Sequence, residues 1–329
     1  MSRTGVHAEE HTTEHSLTTT APPQAVYDLV ADVGQWPQIF PPTIHAESVE
    51  NDGREERIRI WATANGEVKG WESRRTLDRD GLRVGFRQQV SRPPVAAMNG
   101  EWSITPTAGG GSLITLTHAF RSVDGTPEQN DWIKRAIKTN SGAELAALRD
   151  AAEQRAHRKD LEMSFQDTLE IHGAARDVYD YIRDAHLWKE RLPHVARVDV
   201  DEPVPDVQTL EMDTAAPDGK KHTTRSIRIC ESGRTIAYKQ LLTPALLTVH
   251  TGLWSVREQG ATTVLSSAHT VVVKPDAVTT VLGADATIAD ARTFVREALG
   301  RNSMATMRHA KEHVEGRGSV GPTRAQDLM

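Results

Sequence analysis

An internal repeat limits the folds open to this chain more than any other feature of its sequence. Tyr27 and Tyr179 lie 152 positions apart in matching stretches, and Trp102 and Trp254 lie 152 positions apart in a later Gly-x-Trp-Ser motif. Independent matches at one offset are hard to obtain by chance, and 329 residues are enough for about two domains of ordinary size. The sequence therefore predicts two tandem copies of one domain.

Each half shows the same order of elements: one short helix, a run of strands and one long helix. In the first half, apolar residues at helical spacing follow a Pro-Pro pair at 22–23. Short alternating segments then occupy about 47–121, and helical spacing returns over 127–154. This order predicts an α+β fold, in which an antiparallel sheet wraps around a long C-terminal helix and leaves an internal cavity in each domain.

The landmarks also predict where the domains begin and end. The N-terminus is polar and rich in His, Thr and Glu, while the C-terminus holds three glycines and a proline, so both ends are expected to be loose. The predicted limits are a disordered tail at 1–15, a first domain at 16–155, a linker at 156–162, a second domain at 163–315 and a flexible tail at 316–329.

Composition excludes several classes of function. The net charge of −6 is modest and the basic residues are dispersed, so no nucleic-acid partner is expected. No apolar run approaches the ~20 residues that cross a bilayer, no secretory signal is found, and the single Cys230 excludes an internal disulfide. These features predict a soluble cytoplasmic protein with no membrane partner.

Motifs for phosphate binding, for a serine nucleophile elbow and for metal ligation are missing from the sequence, so neither a cofactor nor a metal is expected. His7, His11 and His15 are spaced four apart, and we assign them to the predicted tail rather than to a metal site.

An arginine is predicted to face the first cavity. Side chains alternate across a strand, so Trp71, Ser73 and Arg75 share one face of the strand 70–78, and the apolar members of that face should point inward. A guanidinium in an apolar cavity needs an acceptor. Two interpretations follow: Arg75 is paired to a carboxylate at the rim of the sheet, or it meets an anionic ligand.

The second half repeats this arrangement with one change. Thr224, Ser226 and Arg228 share one face of the strand 223–231, so the Ser-x-Arg pair recurs while Thr224 stands in the place of Trp71. Recurrence at the same element favours a functional role for the pair in both halves.

Two histidines and two asparagines recur in the same way. His118 shares a face with apolar residues of its strand, and His269 does so in the second half, so each is either a satisfied core residue or a proton carrier beside the arginine. Asn140 and Asn302 lie 162 positions apart because the second half has a longer connection around 274–287. Each either caps a helix irregularity or points its amide into the cavity.

Together these motifs resemble the polyketide aromatase/cyclase family. The resemblance rests on Trp71-x-Ser73-x-Arg75, the early helix with Trp36, the Gly-x-Trp102-Ser strand and the late helix with Asn140. That family belongs to the helix-grip superfamily of START lipid-binding domains and the birch-pollen allergen. Two copies in tandem resemble the di-domain subclass, which implies two tandem helix-grip, START-like domains.

The resemblance also implies a reaction. It implies regiospecific intramolecular aldol cyclisation of the C7–C12 type, with dehydration and aromatisation of a poly-β-ketone, in the biosynthesis of aromatic polyketide antibiotics. The implied partners are a phosphopantetheinylated acyl carrier protein that holds the substrate and a minimal polyketide synthase. By resemblance, the groups implied in catalysis are Arg75, Ser73, His118, Arg228, Ser226 and His269. The side chains implied in substrate binding are Trp36, Trp71, Trp102, Asn140, Trp188, Trp254 and Asn302.

Two other interpretations use the same features. A START-type carrier of a hydrophobic small molecule would have the same fold without catalysis. The second half could also serve only to brace the first. Because Trp61, Trp71 and the full Trp-x-Ser-x-Arg pattern occur in the first half, we expect the main site there.

Overall fold

Two units with the same order of elements make up the chain. The structure, a computed structural model, describes residues 9–64, 66–215, 221–231 and 233–318. The units are Met1–Ala156 and His157–Met329. Within the described residues, no helix is both long enough and apolar enough to span a bilayer.

The first unit begins with a strand and a short helix, continues with six strands, and ends with a long helix. Thr126 caps the long helix by accepting a hydrogen bond from the Gln129 amide, and Pro127 follows as its first residue. The elements are β1 (His11–Thr19), α1 (Pro23–Ala31), a 3₁₀ turn (Val33–Gln35), α2 (Trp36–Ile39), β2 (Thr43–Asn51), β3 (Glu55–Ala64), β4 (Glu67–Asp78), β5 (Arg83–Gln88), β6 (Val95–Pro106), β7 (Ser112–Ser122) and α3 (Pro127–Glu153).

The second unit repeats this order after a short connecting helix. Its elements are α4 (Arg155–Leu161), β8 (Glu162–Ile171), α5 (Ala175–Arg183), a 3₁₀ turn (Ala185–Leu187), α6 (Trp188–Arg191), β9 (Val195–Val204), β10 (Val207–Ala215), β11 (Lys221–Glu231), β12 (Thr235–Leu242), β13 (Leu247–Gln259), β14 (Thr262–Val273), a 3₁₀ turn (Pro275–Ala277), α7 (Val278–Leu282) and α8 (Ile288–Gly318).

The described strands form one seven-stranded antiparallel sheet in each unit, in the orders β1-β7-β6-β5-β4-β3-β2 and β8-β14-β13-β12-β11-β10-β9. The strand register identifies counterparts between the units. Gly100 pairs with His118, and Gly252 pairs with His269, so the two histidines are equivalent in the sheets. The glycines lie 152 positions apart and the histidines 151.

The long helix packs one apolar face onto the sheet. Ile133, Ile137, Leu145 and Leu148 of α3 are buried, at the spacing that helical periodicity requires. In both units the sheet and the long helix thus form the predicted α+β helix-grip fold. In each unit a space remains between the sheet and that helix.

The predicted tail at 1–15 is wrong for residues 11–15, because these residues belong to β1. His11 pairs with Phe120 and His15 pairs with Leu116, so the backbone of this polar segment is bonded to β7. A strand at the edge of a sheet can keep every second side chain exposed, and for this reason its composition resembles that of a tail. His7 lies outside the described residues.

The predicted linker and the end of the second domain also differ in detail. The segment 156–162 lies in α4 and the first residue of β8, and α8 continues to Gly318, past the predicted limit at 315. The charged composition of these stretches suits solvent-exposed helix as well as it suits coil. The rest of the predicted tail, 319–329, lies outside the described residues.

Candidate functional site

Each unit encloses a cavity between its sheet and its long helix, about 380 Å³ in the first unit and about 120 Å³ in the second. Every predicted site residue lines one of them. The first cavity is lined by the predicted residues Trp36, Trp71, Ser73, Arg75, Trp102, His118 and Asn140. The second is lined by Trp188, Ser226, Arg228, Trp254, His269 and Asn302.

Arg75 is a buried, ion-paired residue at the cavity wall. Its side chain is 1% exposed, and it forms an ion pair with the buried Glu56 on the neighbouring strand, to which Nε donates at 2.9 Å. Nη1 donates to the Val30 carbonyl at 2.9 Å and Nη2 to the Ala31 carbonyl at 2.6 Å. A cation at these last carbonyls of α1 also opposes the negative end of the helix dipole.

The first sequence interpretation of Arg75, pairing to a carboxylate, is confirmed in part, and the second, an anionic ligand, stays a prediction. The arginine has a carboxylate partner, but the pair lies buried inside the unit rather than at the rim of the sheet, and Arg75 still lines the cavity. Burial lowers the pKa of Arg75, and the adjacent Glu56 opposes that shift, so the guanidinium stays charged. Its charge is already compensated within the protein.

His118 is the proton-accepting group that sequence analysis predicted for the first cavity. Burial lowers the pKa of His118 to about 4, so its imidazole is neutral at pH 7. Its Nδ1 is buried and has no hydrogen-bond partner among the described residues. The Phe86 ring packs edge-on against the imidazole, with 5.4 Å between the ring centroids. His118 lines the cavity, and a neutral imidazole in that position can accept a proton.

The tryptophans and the asparagine have different positions on the wall. Trp102 is 6% exposed, whereas Trp36 and Trp71 are half-buried. Asn140 lines the cavity but is exposed, and the neighbouring Ser141 is the fully buried member of the repeated Asn-Ser pair. The helix azimuth thus turns the serine, rather than the asparagine, toward the core.

A carboxyl group that sequence analysis missed also lines the first cavity. Glu144 lies one helical turn after Asn140 on α3 and is half-buried. Burial raises the pKa of Glu144 to about 7, and no cation is near enough to oppose the shift. The i, i+4 spacing from Asn140 was the signal that could have identified it.

The second cavity has the same arginine with a different partner. Arg228, 2% exposed, donates from Nη2 to the Ile182 carbonyl at 2.6 Å and from Nη1 to the Arg183 carbonyl at 3.2 Å. In the position of Glu56 the second unit has Gln208, whose Oε1 accepts from Nη1 at 2.7 Å. The Trp188 ring lies under the guanidinium, with 5.0 Å between Arg228 Cζ and the ring centroid.

His269 belongs to a buried hydrogen-bond network. Its Nδ1 lies 3.0 Å from His250 Nε2 and 3.0 Å from the Tyr238 hydroxyl, and its Nε2 lies 2.8 Å from Ser303 Oγ. Burial lowers the pKa of His269 to about 4 and that of His250 well below its ordinary value, so both rings are neutral. His250 and Tyr238 were missed because the first unit has Met98 and Phe86 in their places.

The fold and the cavities define a class: a two-domain helix-grip protein with a ligand-sized space in its first domain. Residues 10–153 match the family model described as "Polyketide cyclase / dehydrase and lipid transport". The chain is similar to two solved di-domain ARO/CYC structures. One is BexL from the BE-7585A pathway, with 49% identity, 93% of this chain and 99% of that chain covered, and a TM-score of 0.85. The other is StfQ from the steffimycin pathway, with 36% identity, 94% and 100% covered, and a TM-score of 0.82.

Curated relatives extend over the same length. The granaticin polyketide synthase bifunctional cyclase/dehydratase of Streptomyces violaceoruber is 47% identical, with 92% of this chain and 94% of that protein covered. The actinorhodin polyketide synthase bifunctional cyclase/dehydratase of Streptomyces coelicolor is 45% identical, with 94% and 98% covered. The chain therefore belongs to the polyketide cyclase/dehydratase family of enzymes, in its di-domain form.

Proposed function

We propose that the first cavity carries out regiospecific aldol cyclisation of the C7–C12 type, followed by dehydration to an aromatic ring, in aromatic polyketide antibiotic biosynthesis. The proposed substrate is a poly-β-ketone held on the phosphopantetheine arm of an acyl carrier protein, supplied by a minimal polyketide synthase. Relatives that match nearly the whole chain are named bifunctional cyclase/dehydratases of polyketide synthases, which supports this reaction class.

One observation carries the proposal. An apolar cavity of about 380 Å³ has a buried cation, a buried hydroxyl and a neutral imidazole on one wall: Arg75, Ser73 and His118. Pockets for small molecules are typically about 300–1,000 Å³, so the first cavity has a suitable size and the second, at about 120 Å³, does not. We therefore assign ring closure to the first cavity.

The proposed steps use no external electron donor or acceptor. A methylene between two ketones loses a proton to His118, and its enolate carbon forms a bond with a distant carbonyl carbon, whose oxygen becomes an alkoxide that is then protonated. Loss of a second proton and of the hydroxyl group releases one water. The wall formed by Arg75 and Ser73 stabilises the developing oxyanion, and the shape of the cavity brings the two carbons together.

Glu144 is suited to the proton transfers of the dehydration. A carboxyl group with a pKa of about 7 is protonated in a large fraction of molecules at neutral pH, so it can donate a proton to the leaving hydroxyl. The tryptophans of the wall, Trp36, Trp71 and Trp102, offer flat apolar surfaces for the folded chain, and Asn140 lies at the exposed part of the lining.

The test is the product profile of a reconstituted minimal polyketide synthase with wild type, Arg75→Ala, Arg228→Ala and the double variant. We expect Arg75→Ala to divert the chain to spontaneously cyclised products, with ring closure about 100-fold slower or worse. Because Arg75→Ala also leaves the buried Glu56 without its cation, His118→Ala and Ser73→Ala are included as variants that break no ion pair. Far-UV circular dichroism verifies that each variant is folded.

A carrier of a hydrophobic small molecule is the second candidate, because the description of the matching family model includes lipid transport. A carrier would keep its ligand affinity and the wild-type product profile after loss of His118 or Ser73. If all folded variants give the wild-type profile, ring closure does not occur in this cavity and the carrier function is the better explanation.

A further inference from the structure

The two buried arginines differ in how their charge is compensated. Arg75 faces a carboxylate, Glu56, across the strand pair, whereas Arg228 faces the neutral amide Gln208 at the equivalent position of the register. Among the described residues, no carboxylate lies within ion-pair distance of Arg228. A guanidinium remains protonated even when burial lowers its pKa, so the second unit keeps a cation without a carboxylate partner, 2% exposed, beside its cavity.

A carboxylate that Gln208 contacts is held by another cation. Gln208 Nε2 donates to Glu202 Oε2 at 2.8 Å, while Glu202 Oε1 forms an ion pair with Arg183 at 2.7 Å. In the first unit the order is reversed: the amide of Asn51 donates to the Glu56 carboxylate at 3.1 Å, and that carboxylate meets the buried arginine. The second unit has thus moved its carboxylate one hydrogen bond away from the cavity.

A second, independent observation points to a missing acceptor. Trp36 Nε1 donates to the Val30 carbonyl at 3.2 Å, but its counterpart Trp188 Nε1 is buried and has no partner among the described residues. Trp188 is 7% exposed, lines the cavity and lies against the Arg228 guanidinium. A buried donor without an acceptor is costly, and Trp188 Nε1 is such a donor. Arg228 beside it has only neutral acceptors, so the two groups together favour a ligand that brings an acceptor with negative charge.

We propose that the cavity of the second unit binds a small monoanion whose charge is shared by two coplanar oxygens. A carboxylate has this chemistry, and so does the enolate of a 1,3-dicarbonyl compound. The planar guanidinium of Arg228 recognises such a pair of oxygens, and Trp188 supplies a further donor. The volume of about 120 Å³ limits the ligand to a few heavy atoms, so this site takes a small acid or one end of a larger molecule. It is a binding site in addition to the ring-closing cavity.

The experiment measures binding of acetate to the full chain by saturation-transfer NMR, at constant ionic strength, with neutral acetamide as the matched ligand. The decisive variant is the double substitution Glu202→Gln with Gln208→Glu, which keeps the net charge but places the carboxylate against Arg228. Because the first unit already packs an arginine against a carboxylate in this register, the variant should fold. Thermal unfolding verifies that it does.

Acetate is expected to bind the wild type saturably and acetamide to bind at least about tenfold more weakly, and the double variant should lose acetate affinity by about tenfold or more. Glu202→Gln alone leaves Arg228 uncompensated and should bind acetate as the wild type does. No saturable acetate binding to the wild type, equal affinity of acetamide, or unchanged affinity in the folded double variant would each overturn the proposal.

A third ligand distinguishes the two sources of the anion. Acetylacetone is tested at a pH where it is neutral and at a higher pH where it is the enolate, with acetate as the reference at both. Binding of the enolate but not of the neutral form, lost in the double variant, identifies a 1,3-dicarbonyl site; binding of acetate alone identifies a carboxylate site. Since the readout is ligand binding, its outcome is separate from that of the product profile, which tests the first cavity.

Discussion

Single residues next to the arginines and inside the cavities decide what each cavity can do. Glu56 and Gln208 differ by one polar group, yet Glu56 gives the charged Arg75 a counter-ion, whereas Gln208 gives Arg228 only a neutral acceptor. Glu144 illustrates the same sensitivity, because burial without a cation keeps a carboxyl group partly protonated at neutral pH. The same buried charged groups therefore affect both the chemistry of the cavity and the stability of the folded protein.

Glu144→Gln should change how stability depends on pH. Burial raises the pKa of Glu144 from 4.5 to about 7, so the folded state favours the neutral carboxyl group. The contribution of this group to the free energy of unfolding is complete below about pH 4.5 and is lost as the pH rises through 7. The glutamine variant has no such loss, so relative to wild type it should gain about 1–3 kcal/mol of unfolding free energy between pH 4.5 and pH 8. Urea unfolding across this range measures the difference.

A control on the same helix should respond with the opposite sign. Glu153 accepts hydrogen bonds from the Thr20 amide and the Thr19 hydroxyl, which lower its pKa, so its contribution is present at neutral pH and lost in acid. Glu153→Gln should therefore differ most from wild type at neutral pH, in the destabilising direction. A Glu144→Gln variant whose stability follows wild type at every pH would contradict the assigned pKa.

At the scale of elements, a glycine on β6 and one on β13 let an aromatic ring of the neighbouring strand lie flat against the sheet. A Cβ at Gly100 would overlap the Phe86 ring and the Thr117 carbonyl oxygen, and one at Gly252 would overlap the Tyr238 ring. The glycine of the repeated Gly-x-Trp-Ser motif is thus explained by close approach of a ring that also contacts the cavity histidine.

Gly100→Ala should destabilise the first unit by about 2 kcal/mol, because the ring and the backbone must shift to admit the methyl group. The matched control is Gly85→Ala on β5 of the same sheet, where the nearest atom to an added Cβ is 3.9 Å away and the change should stay within about 0.5 kcal/mol. Denaturant unfolding of both variants tests this expectation, and equal stabilities would show that the ring is free to move.

At the scale of the whole molecule, each unit has its own sheet and its own hydrophobic core. One core cluster is built around Leu116 and Leu148 of the first unit, and another around Leu265 and Met307 of the second. A duplicated chain with separate cores satisfies the usual requirement for independently folding domains.

Fragments 9–156 and 157–318 should therefore each fold when expressed alone and unfold cooperatively. Circular dichroism and denaturant titration of each fragment measure this. If the second fragment restores activity to the first only by raising its stability, the bracing role suggested by the duplication is favoured. If one fragment stays unfolded, the units depend on each other for folding.

The sequence by itself determined the duplication, the order of elements, the α+β class and the inward face of each Ser-x-Arg strand, because the repeat and the side-chain periodicities can be read along the chain. The helix-grip class was implied by the resemblance that these motifs carry. The sequence did not indicate that residues 11–15 form a strand, since pairing with β7 is a contact across more than a hundred residues.

Only the tertiary structure decided which groups meet at the arginines and in the cavities. Glu56 reaches Arg75 and Gln208 reaches Arg228 through the register of adjacent strands, and the azimuth of α3 buries Ser141 while leaving Asn140 exposed. Register, helix rotation and cavity volume are set by packing of the whole domain, and no local pattern of residue types records them.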